Sequence, residues 1–131
     1  EIGTGSGYQA AILAELCDQV YTIEILESLG KAAEKTLARL GYDNVHVRIG
    51  DGFAGWPEHA PYDAIIVTCA PTEIPAPLKQ QLKDGGRLVI PVGETADQNL
   101  LLLEKQAGNL RKKEILPVLF VPMVNEQGNP Y

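Results

Sequence analysis

The feature that most constrains this chain is its opening, Glu1-Ile2-Gly3-Thr4-Gly5-Ser6-Gly7, which runs directly into a helical pattern. Glycines at alternate positions let a backbone turn tightly and approach a ligand closely, and a helix that follows presents unpaired N–H groups at its start. Such a loop joins a buried strand to a helix in a parallel α/β sheet. Almost none of that strand precedes Glu1 and there is no initiator Met, so the chain is expected to be a fragment with its N-terminal part missing.

The pattern after the loop alternates between helix and strand. Tyr8 to Leu16 places Ala11, Ile12, Leu13 and Leu16 on a face that recurs every 3.6 residues or so, which predicts a helix. Val20 to Ile23 is β-branched and aromatic, as a strand requires. Leu26 to Leu40 is rich in Ala, Leu, Glu and Lys and stops at Gly41, a helix with glycine just past its end. Val45 to Ile49 alternates as a strand, and Asp63 to Val67 is a continuous apolar run of the kind covered on both faces in a central parallel strand. Pro71, Pro75 and Pro77 lead into a short helix around Leu78 to Leu82, and a turn at Asp84-Gly85-Gly86 leads into a strand over Arg87 to Val92. Gln98 to Lys105 and Ile115 to Val121, separated by a turn at Ala107-Gly108-Asn109, read as a hairpin, with a polar and loosely ordered stretch from Asn125 to Tyr131. This order implies an α/β, doubly wound, mostly parallel sheet with an antiparallel hairpin at the C-terminal end.

Composition narrows the class. With 131 residues, 45% of them apolar, the chain is the size of one domain with a single core, so residues 1–131 are expected to form one domain. A net charge of −6 argues against the basic surface that phosphate backbones require, so no nucleic-acid partner is expected. No signal peptide, lipidation motif or long apolar run is present, which makes a cytoplasmic protein that does not engage membranes the expectation. Cys17 and Cys69 lack metal-ligand spacing and read as free thiols, Cys69 as a small packed side chain. His46, on the less buried face of its strand, and His59, in a loop, make no metal site. Trp56 reads as a loop anchor, and Lys79, Lys83, Arg111, Lys112 and Lys113 as solvated faces.

Three signals fall at successive strand ends, where open α/β sheets bind ligands. The first is Glu1 with Gly3, Gly5 and Gly7. The second is Glu24, which follows Val20 to Ile23 and can accept both hydroxyl protons of a ribose. The third is Asp51 of Gly50-Asp51-Gly52, where a carboxylate can accept from an adenine amine. Together they describe a nucleoside site with a polar group beyond the ribose. A dinucleotide fingerprint wants a further glycine where Tyr8 stands, which counts against a non-catalytic NAD-binding module.

The spacing Glu-x-Gly-x-Gly-x-Gly resembles the first motif of class I S-adenosylmethionine methyltransferases, which implies a Rossmann-like fold with S-adenosyl-L-methionine held by Glu1, Gly3, Gly5, Gly7, Glu24, Asp51 and Gly52. Reading outward, Tyr8-Gln9-Ala10, Val20 to Glu24, Gly50 to Gly52 with Trp56, Tyr62 to Pro71, Gly85 to Gly93 and Phe120-Val121-Pro122 resemble, in order, the signatures of the protein-L-isoaspartate O-methyltransferase family. The Val-Thr-x-Ala-Pro and Phe-Val-Pro elements are the most specific of these.

That resemblance implies a protein-repair enzyme that methylates the α-carboxylate of L-isoaspartyl residues in damaged proteins and peptides; a monomer is expected. It implies that Thr68, Ala70 and Pro71 line the mouth of the site and help hold the peptide backbone. The family's hydroxyl-bearing active-site loop precedes the glycine motif, so no catalytic residue is assigned within this chain and the fragment alone is expected to be inactive, with apolar surface exposed. Cys69, Leu119 and Val124 depart from the family pattern and bear on peptide binding. A class I methyltransferase acting on a small molecule is the rival reading, against which the Thr68 to Pro71 segment argues.

Overall fold

Short apolar runs separated by glycine and proline set the elements of this protein, and the computed structural model, which describes residues 1–131, arranges them in two units, Glu1–Gly52 and Phe53–Tyr131.

The first unit holds α1 (Tyr8–Ala14), β1 (Val20–Glu24), α2 (Glu27–Arg39) and β2 (Val45–Ile49). β1 and β2 pair in parallel from Val20 opposite Val45 to Glu24 opposite Ile49, and Ile2 bridges Ile23 in parallel on the other edge of β1. α1 stops two residues before Leu16, whose side chain is exposed. α2 buries Gly30, Ala33 and Leu37 along one face, and full burial of a side chain such as Leu37 contributes roughly 1.5–3 kcal/mol. It ends in a Schellman motif: Tyr42 N–H donates to Leu37 O at 3.1 Å and Gly41 N–H to Ala38 O at 3.1 Å. Gly30 permits close approach to β2, since a Cβ there would lie 2.9 Å from Ile49 Cγ1. His46 is exposed, as its alternation implied, and stacks on Tyr21 with ring centroids 4.9 Å apart.

The second unit holds β3 (Tyr62–Ile66), α3 (Ala76–Gln81), β4 (Leu82–Glu94), β5 (Asp97–Gln106) and β6 (Asn109–Val118), with sheet order β3-β4-β5-β6. β3 is parallel to β4, while β4 with β5 and β5 with β6 are antiparallel. The expected hairpin is thus the outer part of a three-stranded antiparallel meander. Leu78, Leu82, Leu88, Ile90, Leu101 and Leu103 form the core.

Four expectations differ from this arrangement. β3 lies at the edge of its sheet with Asp63 and Ala64 exposed, so it is not covered on both faces along its length. Asp84-Gly85-Gly86 is no turn ahead of a strand but lies within β4: Tyr62 pairs Leu82 and Ala64 pairs Arg87, so the intervening residues of β4 bulge out. β6 begins at Asn109 rather than Ile115, because its polar first half is an exposed edge strand without alternation. The stretch from Asn125 to Tyr131 is an ordered hook: Asn125 Oδ1 accepts from Gln127 N–H and Asn129 N–H, both at 3.0 Å, and Val124 bridges Pro130. No helix is long and apolar enough to cross a membrane.

Candidate functional site

The glycine loop is built onto the end of β1. Ile23 O accepts from Gly3 N–H at 2.9 Å and Thr4 N–H at 3.2 Å, and Ile23 N–H donates to Glu1 O at 3.1 Å. Gly3, Gly5 and Gly7 have φ of 97°, 55° and 83°, the left-handed region in which a side chain is strained. Their surroundings differ. A Cβ on Gly7 would lie 3.3 Å from Ala33 Cβ and Leu37 Cδ1, whereas one on Gly5 would meet nothing within 4 Å. Gly7 is therefore the position of close packing against α2, and Gly5 turns its backbone toward open space. Tyr8 points outward and is 75% exposed, so its bulk does not enter that packing.

Glu24 is buried at the end of β1, and both carboxylate oxygens are oriented by backbone donors: Gly5 N–H to Oε2 at 2.8 Å and Leu26 N–H to Oε1 at 3.0 Å. Each oxygen keeps a lone pair for a further donor, which suits a pair of vicinal hydroxyls. The end of β2 is fastened to the same place, because Gly50 N–H donates to Glu24 O at 2.9 Å. Asp51 follows it, half-buried, and Gly52 packs against Ile2, where a Cβ would lie 2.4 Å from Ile2 Cγ2. The structure thus brings Glu1, Gly3, Gly5, Gly7, Glu24, Asp51 and Gly52 to the carboxyl ends of two adjacent parallel strands.

The carboxylate of Glu1 has another task. Thr22 Oγ1 donates to its Oε2 at 2.6 Å, Gln9 Nε2 donates to its Oε1 at 2.8 Å, and Thr22 Oγ1 lies 2.7 Å from Thr4 Oγ1 in the buried interior. This network ties loop, strand and helix together. Thr4, Gln9 and Thr22 were missed as site residues; the only sequence signal was a hydroxyl at an inward position of a strand otherwise apolar at its centre.

In the second unit, Thr68 is half-buried, while Ala70 is 3% exposed and Pro71 is fully buried. Their backbone groups are engaged internally. Ala70 N–H donates to Val121 O and Met123 N–H to Ala70 O, both at 2.8 Å, and Gly93 N–H donates to Pro71 O and Thr72 N–H to Tyr131 O, both at 3.0 Å. Tyr131 stacks on Phe53 at 4.1 Å. Beside the segment lies a cavity of about 240 Å³ whose walls include Ala70, Thr72, Glu94, Gln98, Pro122 and Tyr131. Trp56 is anchored through its backbone, its N–H donating to Gln81 Oε1 at 2.9 Å and its carbonyl accepting from Tyr62 Oη at 2.5 Å.

The fold is that of the α/β methyltransferases. One solved protein-L-isoaspartate O-methyltransferase superposes with a TM-score of 0.89 at 33% identity, over 98% of this chain and 42% of its own. Another, from Plasmodium falciparum, given as a beta-aspartate methyltransferase (PCMT) in complex with S-adenosyl-L-homocysteine, superposes with a TM-score of 0.79 at 26% identity, over 93% of this chain and 63% of its own.

The model of the protein-L-isoaspartate(D-aspartate) O-methyltransferase (PCMT) family matches residues 1–128, and the chain belongs to that family. A protein-L-isoaspartate O-methyltransferase 2 from Polaromonas sp. is 58% identical over 129 residues, which cover 97% of this chain and 61% of that protein. The chain spans about half to three-fifths of the length of the curated relatives it matches.

Proposed function

We propose that the protein carrying this chain transfers a methyl group from S-adenosyl-L-methionine to the α-carboxylate of L-isoaspartyl residues in damaged proteins and peptides. The observation that carries this reading is the family match running from Glu1 through the Phe120-Val121-Pro122 element, across both the cofactor and acceptor signatures. The same continuous match supports treating residues 1–131 as one methyltransferase domain. The acidic balance supports a protein rather than a nucleic-acid substrate.

The residues present fit the cofactor. Glu24, its oxygens already aligned by Gly5 and Leu26, takes the ribose hydroxyls; Asp51 and Gly52 at the end of β2 take the adenine; the backbone of Gly3, Gly5 and Gly7 follows the methionine part; and Glu1 holds the loop in that shape. When bound, the cofactor supplies an electrophilic sulfonium methyl. The acceptor needs no general base, because a carboxylate with a pKa of about 3.5 is ionised at neutral pH. Rate then rests on holding the carboxylate in line and keeping water away. In this role Thr68 touches the peptide, and Ala70 and Pro71 shape the surface it lies on.

The test is labelling of a protein before and after ageing under conditions that generate isoaspartate, using the full-length gene product. Label entering the aged sample as a base-labile ester supports the reading; equal label in both samples, or a base-stable product, sinks it.

A further inference from the structure

The acceptor segment is held from a distance by a side chain that neither the glycine loop nor the Thr68–Pro71 motif includes. Gln98, in β5, is 3% exposed and has its backbone paired with Gly93 on one side and Val118 on the other. Beyond Val118 the ladder runs out, because the residues that Phe120 would face belong to the turn between β4 and β5. The Gln98 side-chain amide takes the place of the missing backbone: Phe120 N–H donates to Oε1 at 2.7 Å and Nε2 donates to Phe120 O at 3.1 Å. A side-chain amide presents a donor and an acceptor side by side without carrying charge.

The next residue along, Val121, supplies the carbonyl that accepts Ala70 N–H, and Met123 N–H returns to Ala70 O. We infer that Gln98 is a positioning residue: by fixing Phe120 it sets where Val121 and Met123 lie, and through them the Thr68–Thr72 segment that receives the acceptor peptide. The inference rests on the proposed acceptor role of that segment. Gln98 also forms part of the cavity wall beside Ala70 and Thr72, so displacing it moves the same surface.

The test uses the full-length enzyme with Gln98→Met, which keeps length and removes both hydrogen bonds, and Gln98→Leu, which removes both with a branched apolar side chain. Both variants are expected to lose about tenfold or more in kcat/KM for an isoaspartyl peptide, mainly through KM, as misplacement of a binding surface does. Their Kd for S-adenosyl-L-homocysteine stays within about twofold of the parent. A kcat/KM within twofold of the parent overturns the inference, as does a parallel loss of cofactor affinity. Should neither variant fold, amide exchange of the parent decides: the Phe120, Ala70 and Met123 amides are expected to open together, and an Ala70 amide that exchanges while Phe120 stays protected overturns the coupling. If the parent methylates no isoaspartyl peptide, the acceptor reading falls, and the exchange data still decide whether Gln98 holds the segment.

Discussion

The amide of Gly5 donates to the carboxylate of Glu24 at 2.8 Å, so two residues 19 positions apart are joined at the end of β1. Neither alone would mark a ligand. Joined, they place a buried carboxylate, its geometry fixed by backbone donors, beside Gly5, where an added Cβ would meet nothing within 4 Å.

Glu24→Ala is expected to weaken S-adenosyl-L-homocysteine binding by at least tenfold, since hydrogen bonds to a charged group contribute roughly 1.5–3 kcal/mol each and about 1.4 kcal/mol is a decade in affinity. Glu24→Gln keeps one acceptor and is expected to fall between. Calorimetric titration measures both, and affinity unchanged in the alanine variant would remove Glu24 from the site.

Gly7→Ala and Gly5→Ala should separate packing from binding. Each forces a side chain into the left-handed region at a cost of about 1–2 kcal/mol, but only at Gly7 does the new Cβ press on α2, 3.3 Å from Ala33 Cβ. Urea unfolding is expected to show the larger stability loss for Gly7→Ala, and cofactor titration the larger affinity loss for Gly5→Ala. The reverse order would contradict the assignment of Gly5 to the ligand side.

Thr22→Val preserves shape but removes a fully buried hydroxyl bonded to Thr4 and Glu1. Leaving buried partners unsatisfied costs roughly 1–3 kcal/mol. A Thr4→Val, Thr22→Val double variant should lose less than the sum of the singles, because the two hydroxyls share one hydrogen bond. Additive losses in chemical denaturation would mean that the network does not act as a unit.

On the surface, Lys83 Nζ lies 2.7 Å from Asp63 Oδ1, and that hydrogen bond, with the attraction of the ammonium, holds the Asp63 carboxyl below the usual carboxylate range. A lowered folded-state pKa means that the pair stabilises the protein above the unfolded carboxyl's pKa, and that this is lost as pH falls through the folded value. Both side chains are exposed, so the effect is small and salt-sensitive. An NMR titration of Asp63 should shift its midpoint upward in Lys83→Met; an unmoved midpoint would show that the pair is not populated in solution.

Much of this was legible in the residues. Val45 to Ile49 is the strand its alternation implied, and the glycine loop, Glu24 and Asp51 meet at strand ends because a parallel sheet leaves them nowhere else. What stayed hidden has a common cause. Glu1 bonds Thr22 across 21 positions and Gln98 bonds Phe120 across 22, and local periodicity carries no information about such partners. The polar start of β6 gave no strand signal, because register there comes from β5 rather than from a buried face. The order of residues 125–131 depends on the backbone bonds of Tyr131 to Thr72 and Met123, which composition alone could not show.

The central claim is tested most directly with a matched pair of peptides, one isoaspartyl and one normal aspartyl, offered to the full-length protein with labelled S-adenosyl-L-methionine. The account predicts a base-labile methyl ester on the isoaspartyl peptide alone. Transfer to the aspartyl peptide at a similar rate, or to neither while the cofactor binds, would contradict it.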